Sequence, residues 1–474
     1  MQHLPLIDLS IIFLSFILLF VFALRFGKYQ KNSNDYFLGK KDIPWWVICG
    51  SIVATETSTL SFIGVPAISF FGNLNFVQLL LGYILGRFIV SIFFLPQYFK
   101  GNLSTSYEFL EHHYSGKSRK ITSVLFLITR LLGDGVRLFA TAIPLKLLTG
   151  WSNEVTIVII ISVTIIFTLI GGIKTIVWTD FIQLIIYMGG AYITYTYLID
   201  HFPSFTDALL SVPPEKLMLF DFSFSFENAY SFYSALFGGI LLTISSHGTD
   251  QLIVQRVLTS KHLKDGQKAL VGSGFLVLFQ LCFFLILGLL FYAFYMQEDL
   301  FASIQNKNDI LPYYVVHYLP EGISGLIIAS IFAAAISTLS SSLSAMASAS
   351  IFDFKMDQSL NKSRIITAIW GLGLAIIALF VQITNENVVT LGLGISSILY
   401  GGILSVFITA RLNWKLDDRG FIFSLLSGVF SVLTLWIYQT STGNTYIGWT
   451  FFIPIGLSIS LLFAYFFRST QNNE

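Results

Sequence analysis

The chain reads as a succession of long apolar stretches separated by short polar ones. Runs of the roughly 20 residues that cross a hydrocarbon core lie near 5–26, 45–71, 76–97, 121–148, 155–172, 177–199, 231–257, 269–296, 321–352, 365–383, 387–409, 420–438 and 446–467. They predict thirteen transmembrane helices in an all-α polytopic membrane protein. The first run is too long for a cleaved signal peptide, and its basic residues, Arg25, Lys28 and Lys31, follow rather than precede it. It is expected to be a leading helix.

Composition sharpens this picture. Of 474 residues, 55% are hydrophobic and only 11% are charged, with a mean hydropathy of +0.75. An ordinary soluble domain carries about 25% charged residues. The composition therefore excludes a soluble enzyme, a disordered chain and a nucleic-acid binder with a basic face. A net charge of +1 offers no acidic or basic surface for a partner. Cys49 and Cys282 lie in apolar runs, so no disulfide framework or Cys-rich metal site is expected. With no Walker sequence, an ATP-driven pump is not expected on this chain. No obligate protein partner is implied; the partners expected are the lipid bilayer and a small solute.

The positions of the charges orient the helices, because cytoplasmic loops hold the excess of Lys and Arg. With the N-terminus outside and the C-terminus cytoplasmic, 21 of the 27 basic residues fall inside. Lys146, Lys216 and Lys307 stay outside, and Arg87, Arg130 and Arg137 fall within spans. Twelve or fourteen spans would move much of this charge to the wrong side. A multi-pass protein of the plasma (inner) membrane is expected. The two longest outer loops, near 200–230 and 297–320, are acidic, which fits either solvated loops or a cation-gathering vestibule.

The spans are not uniformly apolar. Charge inside hydrocarbon costs several kcal/mol, so each buried ionisable group needs a partner, a cavity or a function. Arg87 and Arg130 lie toward inner ends and are expected to snorkel. Glu56, Asp134, Arg137, Asp180 and Asp250 need more. Six of the seven residues from Thr55 to Ser61 are polar, which predicts an interrupted helix whose freed carbonyls can ligate Na⁺. A packed Ser/Thr face between helices is the alternative. A second interruption, Ser245 to Gln251, lies five spans later and includes His247 and Asp250. Two broken helices at matching positions point to an inverted-repeat transporter. In the ninth span Ser337, Ser340, Ser341 and Ser344 share one helical face with Thr338 at its border. Hydroxyls are hard donors suited to an alkali cation, although small residues also serve plain helix packing.

At these residues the sequence resembles the sodium/solute symporter family, whose members carry proline, sugars, sialic acid, vitamins and monocarboxylates. The resemblance rests on Tyr107-Glu108-Phe109-Leu110-Glu111, on Gly171-Gly172-Ile173-Lys174 leading to Trp178-Thr179-Asp180-Phe181-Ile182-Gln183, on Thr249-Asp250-Gln251 with Val254-Gln255-Arg256, and on the small-residue helix from Ala334 to Ser341. It implies a leucine-transporter fold in a single domain over 1–474. That domain would comprise a leading helix at 5–26, a five-plus-five inverted repeat over 45–199 and 231–409, and two trailing helices over 420–467. It implies a first sodium site made by the carbonyls of Ala54, Thr57 and Ala334 and the hydroxyls of Ser337 and Thr338. Asp180, Ser340 and Ser341 match a second sodium site present in some members, sharing Ser337. A helix-start Asp180 facing the helix dipole is the other reading.

A solute pocket is expected to draw on Glu56, Ser58, Ser61, Phe76, Gln78, Arg137, His247 and Asp250, with the resemblance bearing on Glu56 and Arg137. Glu56 departs from the sugar and sialic acid carriers and matches the proline carriers; it could neutralise Na⁺, grip the solute or pair with Arg137. Arg137 either pairs with Asp134 one turn away or offers its fork to a solute carboxylate. The expected function is a secondary active transporter that couples inward Na⁺ flux to uptake of a small polar organic solute by alternating access, with Na⁺ as coupling ion and no organic cofactor. A transporter-like sensor or channel without coupled uptake is the alternative. A membrane-embedded enzyme is not favoured, since His112-His113 lacks a matching acidic cluster.

Overall fold

The computed structural model describes residues 4–27, 30–301, 304, 306–381 and 388–468. Within them the chain is helical, with one isolated antiparallel bridge between Asn32 and Ser359. The long helices are α1 (Leu6–Gly27), α2 (Trp45–Glu56), α3 (Thr59–Phe71), α4 (Phe76–Phe93), α5 (Gly116–Thr149), α6 (Asn153–Ile199) and α7 (Phe232–Thr243). They continue with α8 (Gln251–Val257), α9 (Leu263–Gln297), α10 (Ile323–Asp353), α11 (Leu360–Phe380), α12 (Val388–Arg411), α13 (Asp418–Thr442) and α14 (Phe452–Phe467). Nine described helices are long and apolar enough to cross a membrane on their own, ten if the bent pair α2–α3 counts as one span. The shortfall against thirteen has local causes. Helix α5 carries Lys117, Arg119, Lys120, Arg130, Asp134, Arg137 and Lys146, and its mean hydropathy falls accordingly. The predicted spans 155–172 and 177–199 run together as α6, and the predicted span 231–257 is divided. The stretch 382–387, which joins two predicted spans, lies outside the described residues.

Three interruptions shape the molecule. The first is the extended backbone at Thr57 and Ser58, which turns α3 by 65° from α2. Ser58 caps α3, its Oγ accepting the Leu60 N–H at 3.2 Å. The second is a π-helical turn over Ile244–Thr249, after which Asp250 caps α8 through the Leu252 N–H at 2.9 Å. The third is Gly172, at φ 59 and ψ −174 within α6. Only glycine takes this conformation readily. A Cβ there would stand 2.6 Å from Gln30 Nε2 and 2.9 Å from the Tyr36 carbonyl.

Helix α10 runs through the centre. Every residue from Ile327 to Asp353 is buried, which explains its Ala/Ser composition: small side chains let α6, α5 and α11 approach from all sides. Its N-terminus is capped from α1. Asp8 Oδ1 accepts the N–H groups of Gly322 and Gly325 at 2.6 and 3.0 Å, and Oδ2 accepts the Ser324 hydroxyl at 2.9 Å. Helices α4 and α7 cross at Gly82 and Gly239, where added Cβ atoms would meet partner carbonyls at 2.5 Å. The outward faces of α1, α11 and α13 remain apolar and exposed, as helices facing lipid require.

Candidate functional site

The α2–α3 break lies against α10. Thr55 Oγ1 is 3.4 Å from Ser341 Oγ, and Thr59 Oγ1 donates to the Ile331 carbonyl at 3.0 Å. These two contacts bracket the turn of α10 that holds Ala334, Ser337 and Thr338. Thr57 N–H closes the last bond of α2 onto Val53. The carbonyls after Val53 therefore lie beyond the helical ladder. Ala54, Thr57, Ala334, Ser337 and Thr338 are all buried. Hard oxygens with no water to satisfy them are the donor chemistry an alkali cation takes. Thr338 Oγ1 turns to the Ala334 carbonyl at 3.2 Å.

Asp180, on the second half of α6, is fully buried and touches the same turn of α10. Its Oδ1 accepts the Ser337 hydroxyl at 2.6 Å and its Oδ2 accepts the Ser51 hydroxyl at 2.7 Å. Ser341 Oγ stands 3.4 Å from Oδ2, while Ser340 donates to the Ser337 carbonyl of its own helix. The countercharge comes from Arg256, whose Nη2 is 3.3 Å from Oδ2 and also bonds Ser341. Arg256 Nε and Nη1 bond Ser51 and the Leu252 carbonyl. Arg256, one of the 21 basic residues that the charge rule assigns to the cytoplasmic side, is as buried as Asp180. The available signal was its position inside the predicted span 231–257.

A cavity of about 820 Å³, its open mouth included, adjoins the two central breaks. Glu56, Thr57, Ser61, Phe76, Arg137 and His247 line it, together with Tyr83, Arg130, Ser246, Ser396 and Tyr400, which sequence reasoning did not single out for this role. Ser58, Gln78 and Asp250 stand off its wall. Ser58 caps α3, and Gln78 spends its amide on Tyr230 and Asp221. Asp250 Oδ2 accepts from Arg130 and, at 2.9 Å, from Tyr400.

The charges around the cavity are paired across helices rather than snorkelling. Arg87 is fully buried and holds Glu56 Oε2, not the aqueous boundary. Arg130 pairs with Asp250, so it too does not snorkel. Both arginines are buried beside the breaks, and each charge there is held by a carboxylate whose removal would leave it uncompensated. Glu56 consequently pairs with Arg87, not Arg137. His247 Nε2 lies 3.2 Å from Arg87 Nη2 and 3.5 Å from Glu56 Oε2. A guanidinium has no acceptor, so the nearer contact makes Nε2 an acceptor and leaves Nδ1–H to donate to Ser246 Oγ at 2.8 Å. Arg137 is different. Its Nη1 bonds Asp134 Oδ1 at 3.1 Å, and about a fifth of its side chain is exposed into the cavity. Asp134 is held in turn by Ser342 of α10.

The family model of the sodium:solute symporters matches residues 36–428. The chain belongs to the sodium:solute symporter family. The sodium/sialic acid symporter SiaT of Proteus mirabilis is 26% identical over 76% of this chain and 75% of its own length. The human sodium/iodide cotransporter is 24% identical over 87% and 66%. A solved structure of a Na⁺-coupled sialic acid symporter superposes with a TM-score of 0.85 at 23% identity, covering 98% of this chain and 97% of that one. The nucleobase-cation-symport-1 transporter Mhp1 follows at 0.55, with 14% identity over 90% and 92%. This family member is a multi-pass membrane transporter, not an enzyme, and it couples solute movement to Na⁺.

Proposed function

We propose that this sodium:solute symporter takes up a small organic monoanion, with a carboxylate as its recognised group. The observation that carries this reading is Arg137. Of the two arginines that line the cavity it keeps about a fifth of its side chain exposed, while Arg130 is closed on Asp250 and Arg87, behind the wall, is closed on Glu56. An open fork matches a carboxylate bidentately. Two of the relatives are named for sialic acid and iodide, both anions at neutral pH, which supports the same sign of cargo, although another is named for glucose.

In this reading Na⁺ binds between α2 and α10 on the oxygens of Ala54, Thr57, Ala334, Ser337 and Thr338. Holding the broken helix against α10 sets Glu56, Ser61 and Phe76 around the solute, and alternating access then opens the site inward. Asp180 with Ser337, Ser340 and Ser341 forms a second cation site, where Arg256 already supplies one positive charge to Asp180. Ser58, Gln78, His247 and Asp250 act from behind the wall or on it, by fixing the breaks and the arginines. The thirteen crossings arise from the nine helices and the α2–α3 pair, with α6 counted twice about Gly172 and with α5 and the α7–α8 pair added. A five-plus-five inverted repeat over 45–199 and 231–409 then follows the leading helix of this single domain and precedes two trailing helices over 420–467. The N-terminus lies outside the plasma membrane and the C-terminus in the cytoplasm.

The test is uptake into proteoliposomes from a panel of radiolabelled carboxylates, amino acids and sugars, with and without an inward Na⁺ gradient. The reading expects concentrative, Na⁺-dependent uptake of a carboxylate, lost in Arg137→Gln. Uptake of a neutral sugar that survives Arg137→Gln would overturn the anion assignment and leave Na⁺ coupling standing.

A further inference from the structure

The connection between α6 and α7 carries a pattern that runs opposite to that of a water-soluble strap. From Leu219 to Glu227 the backbone has no helical structure, and Phe220, Phe222, Phe224 and Phe226 alternate with Asp221, Ser223 and Ser225. In extended chain, alternate residues point to opposite sides. Here Asp221 and Ser225 are half-buried against the protein, while Ser223 is exposed. Asp221 Oδ2 accepts from Asn228 Nδ2 at 3.1 Å, and its backbone N–H donates to Gln78 Oε1 at 3.1 Å. Ser225 Oγ accepts the N–H groups of Glu227 and Asn228, while its carbonyl accepts the Ser234 hydroxyl. The phenylalanines turn away, with Phe222 and Phe224 the most exposed at 62% and 66%.

These rings form one continuous apolar shelf. Phe220 stacks on Phe222, Phe222 meets Phe232, and Phe224 meets both Phe226 and Tyr233. The shelf runs without interruption into exposed Tyr233 and Phe237 of α7, a helix whose outward face lipid must cover. At its other end Phe226 packs on Phe451 and its carbonyl accepts the Gly448 N–H at 2.6 Å. A loop that turns its carboxylate and hydroxyl inward and its rings outward is built for an apolar solvent. Aromatic rings concentrate at the level of the lipid headgroups.

We infer that Phe220, Phe222, Phe224 and Phe226 form an interfacial anchor that dips into the outer leaflet, with phospholipid as its partner. The anchor is tied to the wall of the cavity: Gln78 and the lining residue Phe76 sit at the start of α4, and Phe76 packs on Tyr230 at the end of the same connection. Lipid contact therefore holds the start of α4, and with it Phe76, at a fixed depth.

The test attaches a nitroxide at Phe222→Cys, Phe224→Cys and Ser225→Cys in turn, with Cys49 and Cys282 replaced by alanine, and reconstitutes each in palmitoyl-oleoyl phosphatidylcholine vesicles. Molecular oxygen is expected to relax the labels at 222 and 224 more than a water-soluble nickel chelate does, with both reagents weaker at 225. Dominance of the nickel chelate at 222 and 224 would place the shelf in water and overturn the anchor. Spin–spin broadening between copies would overturn it in favour of a second chain. Should the cysteine variants fail to fold, Phe224→Trp replaces them: brominated phospholipid is expected to quench the added fluorescence, and an unquenched tryptophan rejects the inference.

Discussion

At the scale of single residues, the candidate sodium site depends on two hydroxyls of α10. Ser337→Ala removes one oxygen from it and also one of the bonds to Asp180; Thr338→Ala removes another. A hydrogen bond or dipole contact to a charge contributes about 1.5–3 kcal/mol, which is roughly 10- to 150-fold in a binding constant. Each substitution is expected to raise the Na⁺ concentration for half-maximal uptake by about that factor, read from uptake rates across a Na⁺ series. An unchanged Na⁺ dependence in both variants removes these hydroxyls from the site. The Glu56–Arg87 pair makes a second prediction. Glu56→Gln leaves a fully buried guanidinium without its carboxylate, and breaking one side of a buried pair costs roughly 3–5 kcal/mol. Glu56→Gln is therefore expected to lower the unfolding temperature more than the double variant Glu56→Gln/Arg87→Gln does. A double variant no more stable than the single one would show that Arg87 has another adequate partner, His247 being the nearest.

At the scale of elements, two local devices hold the helices around the site. Asp8 caps α10 from α1 with three hydrogen bonds, and loss of a cap costs about 0.5–2 kcal/mol. Asp8→Ala is expected to loosen α1 and lower thermal stability, while Asp8→Asn keeps part of the cap and falls between, as scanning fluorimetry would read. Gly172→Ala places a Cβ where Gln30 and Tyr36 already lie and forces a glycine-only conformation, at roughly 1–3 kcal/mol. Two of the interruptions were legible in the sequence, because hydroxyls at 55–61 and Ser-Ser-His-Gly at 245–248 break an apolar pattern where lipid would forbid it, whereas at Gly172 the sequence predicted the end of a span rather than a kink. Partner choice was not legible. Arg87 reaches Glu56 across 31 positions and Arg256 reaches Asp180 across 76. Nothing in residue type or helical spacing distinguishes a snorkelling arginine from one drawn inward to a carboxylate on another helix. Only the bend of α2–α3 and the π turn before α8 bring those groups together.

At the scale of the whole molecule, the proposed function makes sodium and solute two halves of one binding event. The proposed cation site uses the end of α2 and the middle of α10, while the cavity uses residues at the same break together with α5 and the π turn. Neither ligand needs to touch the other. Whichever binds first is expected to order the break that the second requires, and such coupling is reciprocal: the factor by which Na⁺ tightens solute must equal the factor by which solute tightens Na⁺. Coupling of this kind typically runs to about 5- to 150-fold. The measurement is a pair of titrations on purified protein in detergent, first with the carboxylate that the uptake panel identifies at zero and saturating Na⁺, then with Na⁺ at zero and saturating carboxylate. Equal factors are expected. Ser337→Ala is expected to reduce both together, because it weakens the element the two sites share rather than a contact with solute. Arg137→Gln is expected to weaken solute binding at every Na⁺ concentration and to leave the affinity for Na⁺ alone in place. If Ser337→Ala instead weakened Na⁺ binding while the solute's dependence on Na⁺ stayed intact, the break between α2 and α3 would not be the coupling element.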